Sequence, residues 1–492
     1  MNIQHLLALF GCIFIVVMSH HYIDHVSDDG AIFLRYAQNV LDGKGVVYNE
    51  GEYVEGYSSP LWLLLLIVCG SIVPLSFAPK ILGSLLLWSS FFLLYKKLGE
   101  IQGIIVQQSF FVVTIFLGGH FYWMATGMET PLLCFLWMNI GVFWGSKRSF
   151  WALSLLGIAR PEGFALVVVA LFLLSKEIED NRSILATMGW IIFPSCLWFL
   201  FRLFYYHDIL PNTYYAKTGG DVFVQLQNGW LYTKHMFLVM LFLGGLQYYR
   251  YKNIYSFFLL ILFDVVLIAM GGGDWMLWGR MLVPLWMCLW ICVPKLEFQI
   301  QQPILFFFYG LTWWAIWPMA LSLKGIQFAF QGKRLPIAGY QEGSLVEMSQ
   351  EQARFLQSVL PISTEKTYRI AVNHAGFLPL YLDDYIILDM TGLNNNHIAR
   401  RAGGLHQKYD VEYVLSQKPD VIVFHSPLPP ISQKPFVQGE YWAGENEILK
   451  NPKFWEEYQF QKNYWQRQGQ GATILYSLFA IRKSSLLDFK EF

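Results

Sequence analysis

Eleven apolar runs follow one another through the first two-thirds of the chain, at 6–18, 60–74, 80–95, 103–119, 130–145, 150–175, 184–206, 231–248, 254–270, 280–294 and 302–322. A bilayer-spanning helix needs about 20 mostly apolar residues, within a range near 17–25. In lipid every backbone polar group must be satisfied internally, so such a succession predicts a polytopic helical bundle. Composition agrees: 55% of the 492 residues are hydrophobic and 14% are charged, against about 25% charged in an average soluble domain. That argues against a disordered chain or an ordinary soluble enzyme. Lys+Arg and Asp+Glu balance at 35 each, so no basic surplus points to nucleic acid.

Charge is unevenly spread. Residues 324–492 hold 35 of the 70 Asp, Glu, Lys and Arg residues, and residues 1–323 hold the other 35. The division predicts a membrane domain over 1–323, with an outward loop at 21–57, and a water-soluble domain over 324–492. The six cysteines (Cys12, Cys69, Cys134, Cys196, Cys288 and Cys292) all lie in apolar stretches without a CxxC pair. No zinc ribbon or disulfide framework is expected from them. The first run lacks a basic leader and a small-residue cleavage site, so it reads as a retained span. Lys176 with Arg182, and Arg250 with Lys252, mark cytoplasmic loops by the positive-inside rule. Alternation then places the loops around 21–57, 207–230 and 271–280, and the soluble domain, on the outer face. Lys96, Lys97, Lys147 and Arg148 fit this less well, unless 60–74 re-enters the membrane or the chain breaks at Arg160-Pro161.

The outward loops carry most of the unusual chemistry. His20, His21, Asp24 and His25 hold an i, i+4 histidine pair with a carboxylate. That spacing can bind a metal, but it is more often a polar helix end leaving the bilayer. Asp28-Asp29-Gly30 follows, and then Phe33, Tyr36, Ala37, Val40 and Leu41 form an apolar stripe that Asp42-Gly43-Lys44-Gly45 closes. This predicts a short amphipathic helix in the membrane interface with both aspartates at its N-terminus. Aspartate there is a favoured cap and first-turn residue. A carboxylate at the outer surface also suits deprotonation of an acceptor hydroxyl, worth roughly 100- to 10,000-fold in rate. The spacing does not choose between the two.

Glu129, Arg160, Glu162, Arg202, Asp264 and Arg280 sit in or beside apolar spans, where an unpaired charge costs at least about 2.5–3.5 kcal/mol. Such residues pair inside a bundle or line a cavity. Arg160-Pro161-Glu162-Gly163 interrupts a long run with a helix breaker, which is tolerated where it lines a cavity. Its charges suit a structural pair and a catalytic one equally. Gly271-Gly272-Gly273-Asp274-Trp275-Met276 with Arg280 is either a plain turn or a polar clamp. In Pro211-Asn212-Thr213-Tyr214-Tyr215-Ala216-Lys217 the tyrosines read as interface anchors, and Lys217 is a solvated lysine or the counter-charge of a lipid phosphate.

In the last third, Thr367–Val372, Tyr385–Leu388 and Val421–Phe424 read as buried strands, and His374–Leu382 and Leu405–Leu415 as helices. Short apolar strands alternating with helices predict an α/β domain. The polar loop after Asp389 stands at a strand end, a usual place for a ligand contact. Trp442, Trp455 and Trp465 suit core packing or sugar stacking.

The motifs resemble one family when taken in order. Asp28-Asp29-Gly30, Arg35-Tyr36-Ala37, Gly45-Val46-Val47-Tyr48-Asn49 and Val54-Glu55-Gly56-Tyr57-Ser58 are similar to the signature of the GT-C glycosyltransferases. In particular they resemble the relatives of the mycobacterial terminal β-(1→2) arabinofuranosyltransferase. Gly127-Met128-Glu129-Thr130, Arg160-Pro161-Glu162-Gly163, Pro211 to Lys217, Gly272 to Met276 with Arg280, and Leu388-Asp389-Met390-Thr391-Gly392-Leu393 extend the likeness along nearly the whole chain. One departure is Asn394-Asn395-Asn396, where such relatives tend to carry an acidic residue.

The resemblance implies a GT-C membrane fold of about 11 helices with a C-terminal soluble α/β domain that binds the glycan acceptor. It implies inverting transfer of a sugar from a polyprenyl-phosphate donor at the outer face of a bacterial inner membrane. The acceptor would be an envelope polysaccharide, lipopolysaccharide or glycolipid; arabinofuranose is the best-known donor sugar. Asp28 or Asp29 would be the general base, with Asp28 favoured. Arg160, Glu162, Lys217, Asp274 and Arg280 would bind donor phosphate and sugar. Arg35, Glu55, Tyr57, Glu129, Asn212, Tyr215 and Trp275 would form the rim. Polyprenyl phosphate leaves without a nucleotide, so no cofactor is required and metal dependence stays open. A flippase of lipid-linked sugars would also explain charges at membrane depth, and a non-catalytic scaffold would tolerate loss of both aspartates.

Overall fold

The computed structural model describes residues 26–101, 123–124, 126–176, 181–250, 255–274, 276, 279–292, 339–361, 366–404, 406–424, 443–466 and 474–488. In chain order the first helices are α1 (Asp28–Leu41), α2 (Pro60–Gly70), α3 (Ala78–Ile101), α4 (Thr130–Val142), α5 (Lys147–Ala159) and α6 (Gly163–Ser175). Then come α7 (Asn181–Tyr205), α8 (Asn212–Lys217), α9 (Val222–Arg250), α10 (Tyr255–Met270), α11 (Val283–Cys292) and α12 (Gly339–Val359). The chain divides by contact into two compact units. One holds Met1–His25, Ser59–Phe201 and Val222–Gln341; the other holds Val26–Ser58, Arg202–Asp221 and Glu342–Phe492. Val26–Ser58 and Arg202–Asp221, assigned above to the membrane domain, thus group with the last third of the chain.

The first unit is helical. α4 packs against α3, α5 and α11; α6 packs against α5 and α10; and α9 packs against α10 and α11. At the α9–α10 crossing a Cβ on Gly229 would stand 1.8 Å from the backbone oxygen of Ala269, so only glycine allows this approach. Trp190, Leu241, Phe172 and Leu85 remain exposed, and lipid is the solvent for such outward apolar surface. Among the described residues, Ala78–Glu100 and Thr187–Tyr205 are long and apolar enough to cross a membrane; Pro60–Gly70, Thr130–Val142, Gly163–Ser175, Tyr255–Met270 and Val283–Cys292 are shorter apolar helices. Of the eleven runs, 6–18, 103–119 and 302–322 lie outside the described residues. The run at 150–175 is two helices, α5 and α6, because Arg160 is extended before Pro161 (φ −151°, ψ 152°). The ring of a proline disfavours the helical region for its predecessor.

The second unit is α/β. Its strands are β1 (Arg369–Val372), β2 (Ile386–Asp389), β3 (Val421–Phe424), β4 (Tyr458–Gln466) and β5 (Ile474–Arg482), in the order β2-β1-β3-β5-β4. β1 pairs in parallel with β2 and β3, and these three are near-continuous apolar runs, as strands buried on both faces must be. β5 pairs antiparallel with β3 and with β4. The short helices α13 (Phe377–Leu380), α14 (Asn396–Ala399), α15 (Val411–Ser416), α16 (Ala443–Lys450) and α17 (Pro452–Glu457) connect them. Ala371, Leu388, Ile422, Phe424, Phe454 and Ala480 are part of one core. The three expected strands are present; the expected helices shrink to α13 and α15, and the β4–β5 pair was not foreseen. Trp455 is exposed and donates its indole N–H to the Leu449 carbonyl.

α1 departs from the expected interface helix. Ala31, Phe33, Tyr36 and Ala37 are buried together with Arg35, and α1 packs on α13. Tyrosine rings cover the first part of its apolar stripe, with Phe33 against Tyr57, and Tyr36 against Tyr48 and Tyr57, while Leu41 at its end stays exposed.

Candidate active site

The head of α1 is built by its sequence. Ser27 is the cap, its Oγ accepting the Gly30 N–H at 3.1 Å, and the two aspartates follow in the first turn, where the helix dipole favours negative charge. Asp28 Oδ1 accepts two backbone N–H groups, from Phe377 at 2.9 Å and Gly376 at 3.2 Å. Residue 376 must be glycine, since a Cβ would stand 1.8 Å from the Asp28 carbonyl oxygen. Among the described residues Oδ2 of Asp28 has no hydrogen-bond partner, and the side chain is only half-buried. Burial pushes the Asp28 carboxyl up to about 7; the Phe377 and Gly376 amides oppose this, and the charges of Asp29 and Asp389 add to it.

Asp29 is half-buried beside Asp28. His406 lies within electrostatic reach of Asp29, Asp389 and Lys217; burial holds its pKa below the usual histidine value, the two carboxylates oppose this, and Lys217 adds to it. The His406 backbone is left-handed (φ 63°), a conformation uncommon outside glycine and often found at functional sites. Sequence reasoning missed this residue. It carries no motif and falls in a stretch read as helix. Lys217 itself is exposed at the end of α8.

The remaining predicted residues of this unit are firmly engaged. All five N–H groups of Arg35 are used: Nε donates to Tyr48 O at 2.9 Å, Nη1 to Leu382 O at 3.1 Å and to Pro379 O, and Nη2 to Tyr385 O at 3.2 Å and Asn49 Oδ1 at 3.5 Å. Glu55, 2% exposed, takes both Nε and Nη2 of Arg202, a bidentate pair. Tyr57 and Tyr206 share a hydroxyl–hydroxyl bond of 2.9 Å. Asn212 Nδ2 donates to the carbonyls of Gly392 and Leu393, each at 2.8 Å. Tyr215 donates to Asp208 Oδ1 at 2.8 Å, while Arg400 covers its ring at 4.3 Å and pairs with Asp208.

Asp389 explains the departure at 394. It is 1% exposed and accepts from Thr391 N at 2.8 Å, Thr391 Oγ1 at 2.6 Å, Asn394 N at 2.7 Å and Asn394 Nδ2 at 3.1 Å. An acidic residue at 394 would set two carboxylates against each other here; asparagine supplies a donor.

In the helical unit the predicted charges gather. Arg160 donates to Glu129 at 2.6 Å and to Glu162 at 2.7 Å. Arg280 donates to Asp274 at 2.7 Å and lies over the Trp123 ring at 5.9 Å. Arg280 acts electrostatically on Glu129, and Asp274, Arg280 and Arg160 all act on Tyr232. Each guanidinium is thus pre-aligned by a carboxylate. Trp275 and the His20–His25 segment lie outside the described residues. Among the described residues no three His, Cys, Asp or Glu side chains group as metal ligands.

Residues 338–477 match a family described as a domain of unknown function, DUF8728. The chain is 28% identical over 230 residues to a terminal β-(1→2)-arabinofuranosyltransferase of Mycobacterium tuberculosis, covering 41% of this chain and 36% of that protein. It is 25% identical over 250 residues to the protein of that name in Corynebacterium glutamicum, covering 42% and 35%. The chain therefore spans about a third of the length of either relative. The fold is similar to that of ArnT from Cupriavidus metallidurans bound to undecaprenyl phosphate, with a TM-score of 0.57 over 97% of this chain and 98% of that one at 12% identity. The apo form of ArnT matches with a TM-score of 0.52 over 86% and 93% at 14% identity. Sequence and fold agree: the chain has a membrane GT-C fold and resembles the GT-C glycosyltransferases.

Proposed function

We propose that the chain is a membrane glycosyltransferase that moves a sugar, such as a pentofuranose, from a polyprenyl-phosphate donor to an envelope glycan, lipopolysaccharide or glycolipid. Transfer takes place at the outer face of a bacterial inner membrane and inverts the anomeric carbon. One observation carries the reading: Asp28 holds one carboxylate oxygen fixed by two amides and the other open, with a pKa raised to about 7. A general base works best when its pKa lies near the operating pH.

In this reading Oδ2 of Asp28 takes the proton of the acceptor hydroxyl, and the hydroxyl oxygen attacks the anomeric carbon. The bond from that carbon to the phosphate oxygen breaks, and polyprenyl phosphate leaves with the electron pair. Lys217, exposed in the same unit, is the cation assigned to the growing phosphate charge. The relatives named as arabinofuranosyltransferases, and the undecaprenyl phosphate bound to ArnT, support the donor class.

The test is release of polyprenyl phosphate from a panel of synthetic polyprenyl-phosphate sugars in membranes that carry the cell's own envelope acceptors, with wild type beside Asp28→Asn and Asp29→Asn. Asparagine keeps an acceptor oxygen for the Gly376 and Phe377 amides, so folding is retained. Asp28→Asn is expected to lower the rate at least about 100-fold. An unchanged rate removes Asp28 as base, and no release from any donor by folded wild type removes the transferase reading.

A further inference from the structure

Within the α/β unit lies a cavity of about 320 Å³ whose lining does not include Asp28. Its walls come from the loop around Tyr53, the outer edge strand β2, the Asn394–His397 turn and α15. This volume stands at the small end of ligand pockets, roughly 300–1,000 Å³. It suits one or two sugar units.

The chemistry of the walls selects the ligand. Tyr53 is half exposed, yet its ring is held edge-on against Tyr205 at 5.1 Å, which leaves a positioned aromatic surface. Asn395 is locked, its amide donating to the Tyr413 hydroxyl at 3.1 Å and its oxygen capping α14. The two charged lining groups already have partners: Arg369 donates to the Gln417 carbonyl at 2.7 Å, and Glu52 accepts from Asn49 at 2.9 Å. Arg369 keeps its positive charge against a neutral carbonyl, but the Glu52 carboxylate in the same lining offsets it, so these two groups carry no net charge to select a phosphate or a uronate. Among the described residues, the amide nitrogens of Gln417 and Asn396 have no acceptor, and both residues line the cavity. Planar amides beside an aromatic ring match the hydroxyl edges and C–H face of an uncharged sugar.

At Ile387 the backbone edge of β2 is already occupied. Asn49 donates to Ile387 O at 2.8 Å and accepts from Ile387 N at 3.0 Å. One side chain thereby satisfies both backbone groups of Ile387 on the open edge of β2, as a neighbouring strand would. What the cavity offers is side-chain chemistry.

We propose that this cavity binds an uncharged sugar residue of the glycan acceptor, with Tyr53 as its platform and Gln417 and Asn396 as its hydroxyl donors. The acceptor role rests on the transferase reading; the sugar class rests on the cavity.

The test titrates the full-length chain in lipid nanodiscs with neutral arabinofuranosyl, galactofuranosyl and mannosyl oligosaccharides, and with inorganic phosphate and an oligouronate as charged probes. At least one neutral oligosaccharide is expected to bind. Tyr53→Ala and Gln417→Leu should each weaken it about tenfold, and Tyr53→Trp should retain it. Absence of neutral binding, preference for a charged probe, or wild-type affinity in both Tyr53→Ala and Gln417→Leu overturns the proposal. Polyprenyl phosphate release, measured on the same samples, separates the two readings. Release without glycan binding sinks the cavity proposal alone; glycan binding without release sinks the transferase alone and leaves a saccharide-binding cavity.

Discussion

Asp28 and Asp29 are adjacent in sequence, yet their surroundings separate them. Asp28 is tied by Oδ1 to Gly376 and Phe377 and its pKa is raised to about 7. A base must be ionised to act, so kcat/KM is expected to rise as pH increases through about 7 and to fall below it. An ordinary aspartate would place that limb near 3.9. A pH–rate profile from 4 to 9 checks this, and a limb near 4 removes Asp28 as base. The linkage to stability has the opposite sign. Folding raises this pKa, so the carboxyl favours the folded state at low pH and that contribution is lost between 3.8 and about 7. Asp28→Asn is therefore expected to unfold at pH 8 no more readily than wild type, which thermal melts measure. The family resemblance marked Arg35, Glu55, Asn212 and Tyr215 as rim residues, but not their partners. Arg35 donates to carbonyls of Pro379, Leu382 and Tyr385, more than 340 positions away, and no spacing encodes that.

At the scale of elements, the docking of α1 on α13 holds the candidate base in place. Gly376→Ala puts a methyl where the Asp28 carbonyl oxygen stands, and overpacking of this kind costs roughly 1–3 kcal/mol. Release of polyprenyl phosphate is expected to fall together with the melting temperature. A variant with wild-type melting and activity would show that this junction does not position Asp28. Elements with local signatures were legible. The break between α5 and α6 follows from Pro161, and β1, β2 and β3 from their apolar runs. His406 shows the limit: its left-handed backbone interrupts what periodicity reads as one helix, and only α15 (Val411–Ser416) is helical. β4 was missed although Tyr458-Gln459-Phe460-Gln461 alternates in the period of a strand.

At the scale of the molecule, the transferase reading requires the α/β unit to face the outside. An epitope tag at Phe492 is expected to be labelled by an impermeant antibody in cells whose inner membrane is intact. Protection there reverses the topology and removes an outward-facing Asp28. The sequence by itself determined a helical membrane part, an α/β region near the C-terminus, the proline break and the motif order that resembles GT-C glycosyltransferases. Hydrophobic period, proline and composition act over a few residues, so local pattern reveals them. Only the tertiary structure decided that Val26–Ser58 and Arg202–Asp221 join Glu342–Phe492 in one compact unit. It also decided that Asn49 pairs with Ile387 on the edge of β2, that Asn212 holds the Gly392 and Leu393 carbonyls, and that His406 comes within electrostatic reach of Asp29. The Asn49 and Asn212 contacts are pairings of buried polar groups across 338 and 180 positions of chain, made because such groups must find hydrogen-bond partners once folding removes water.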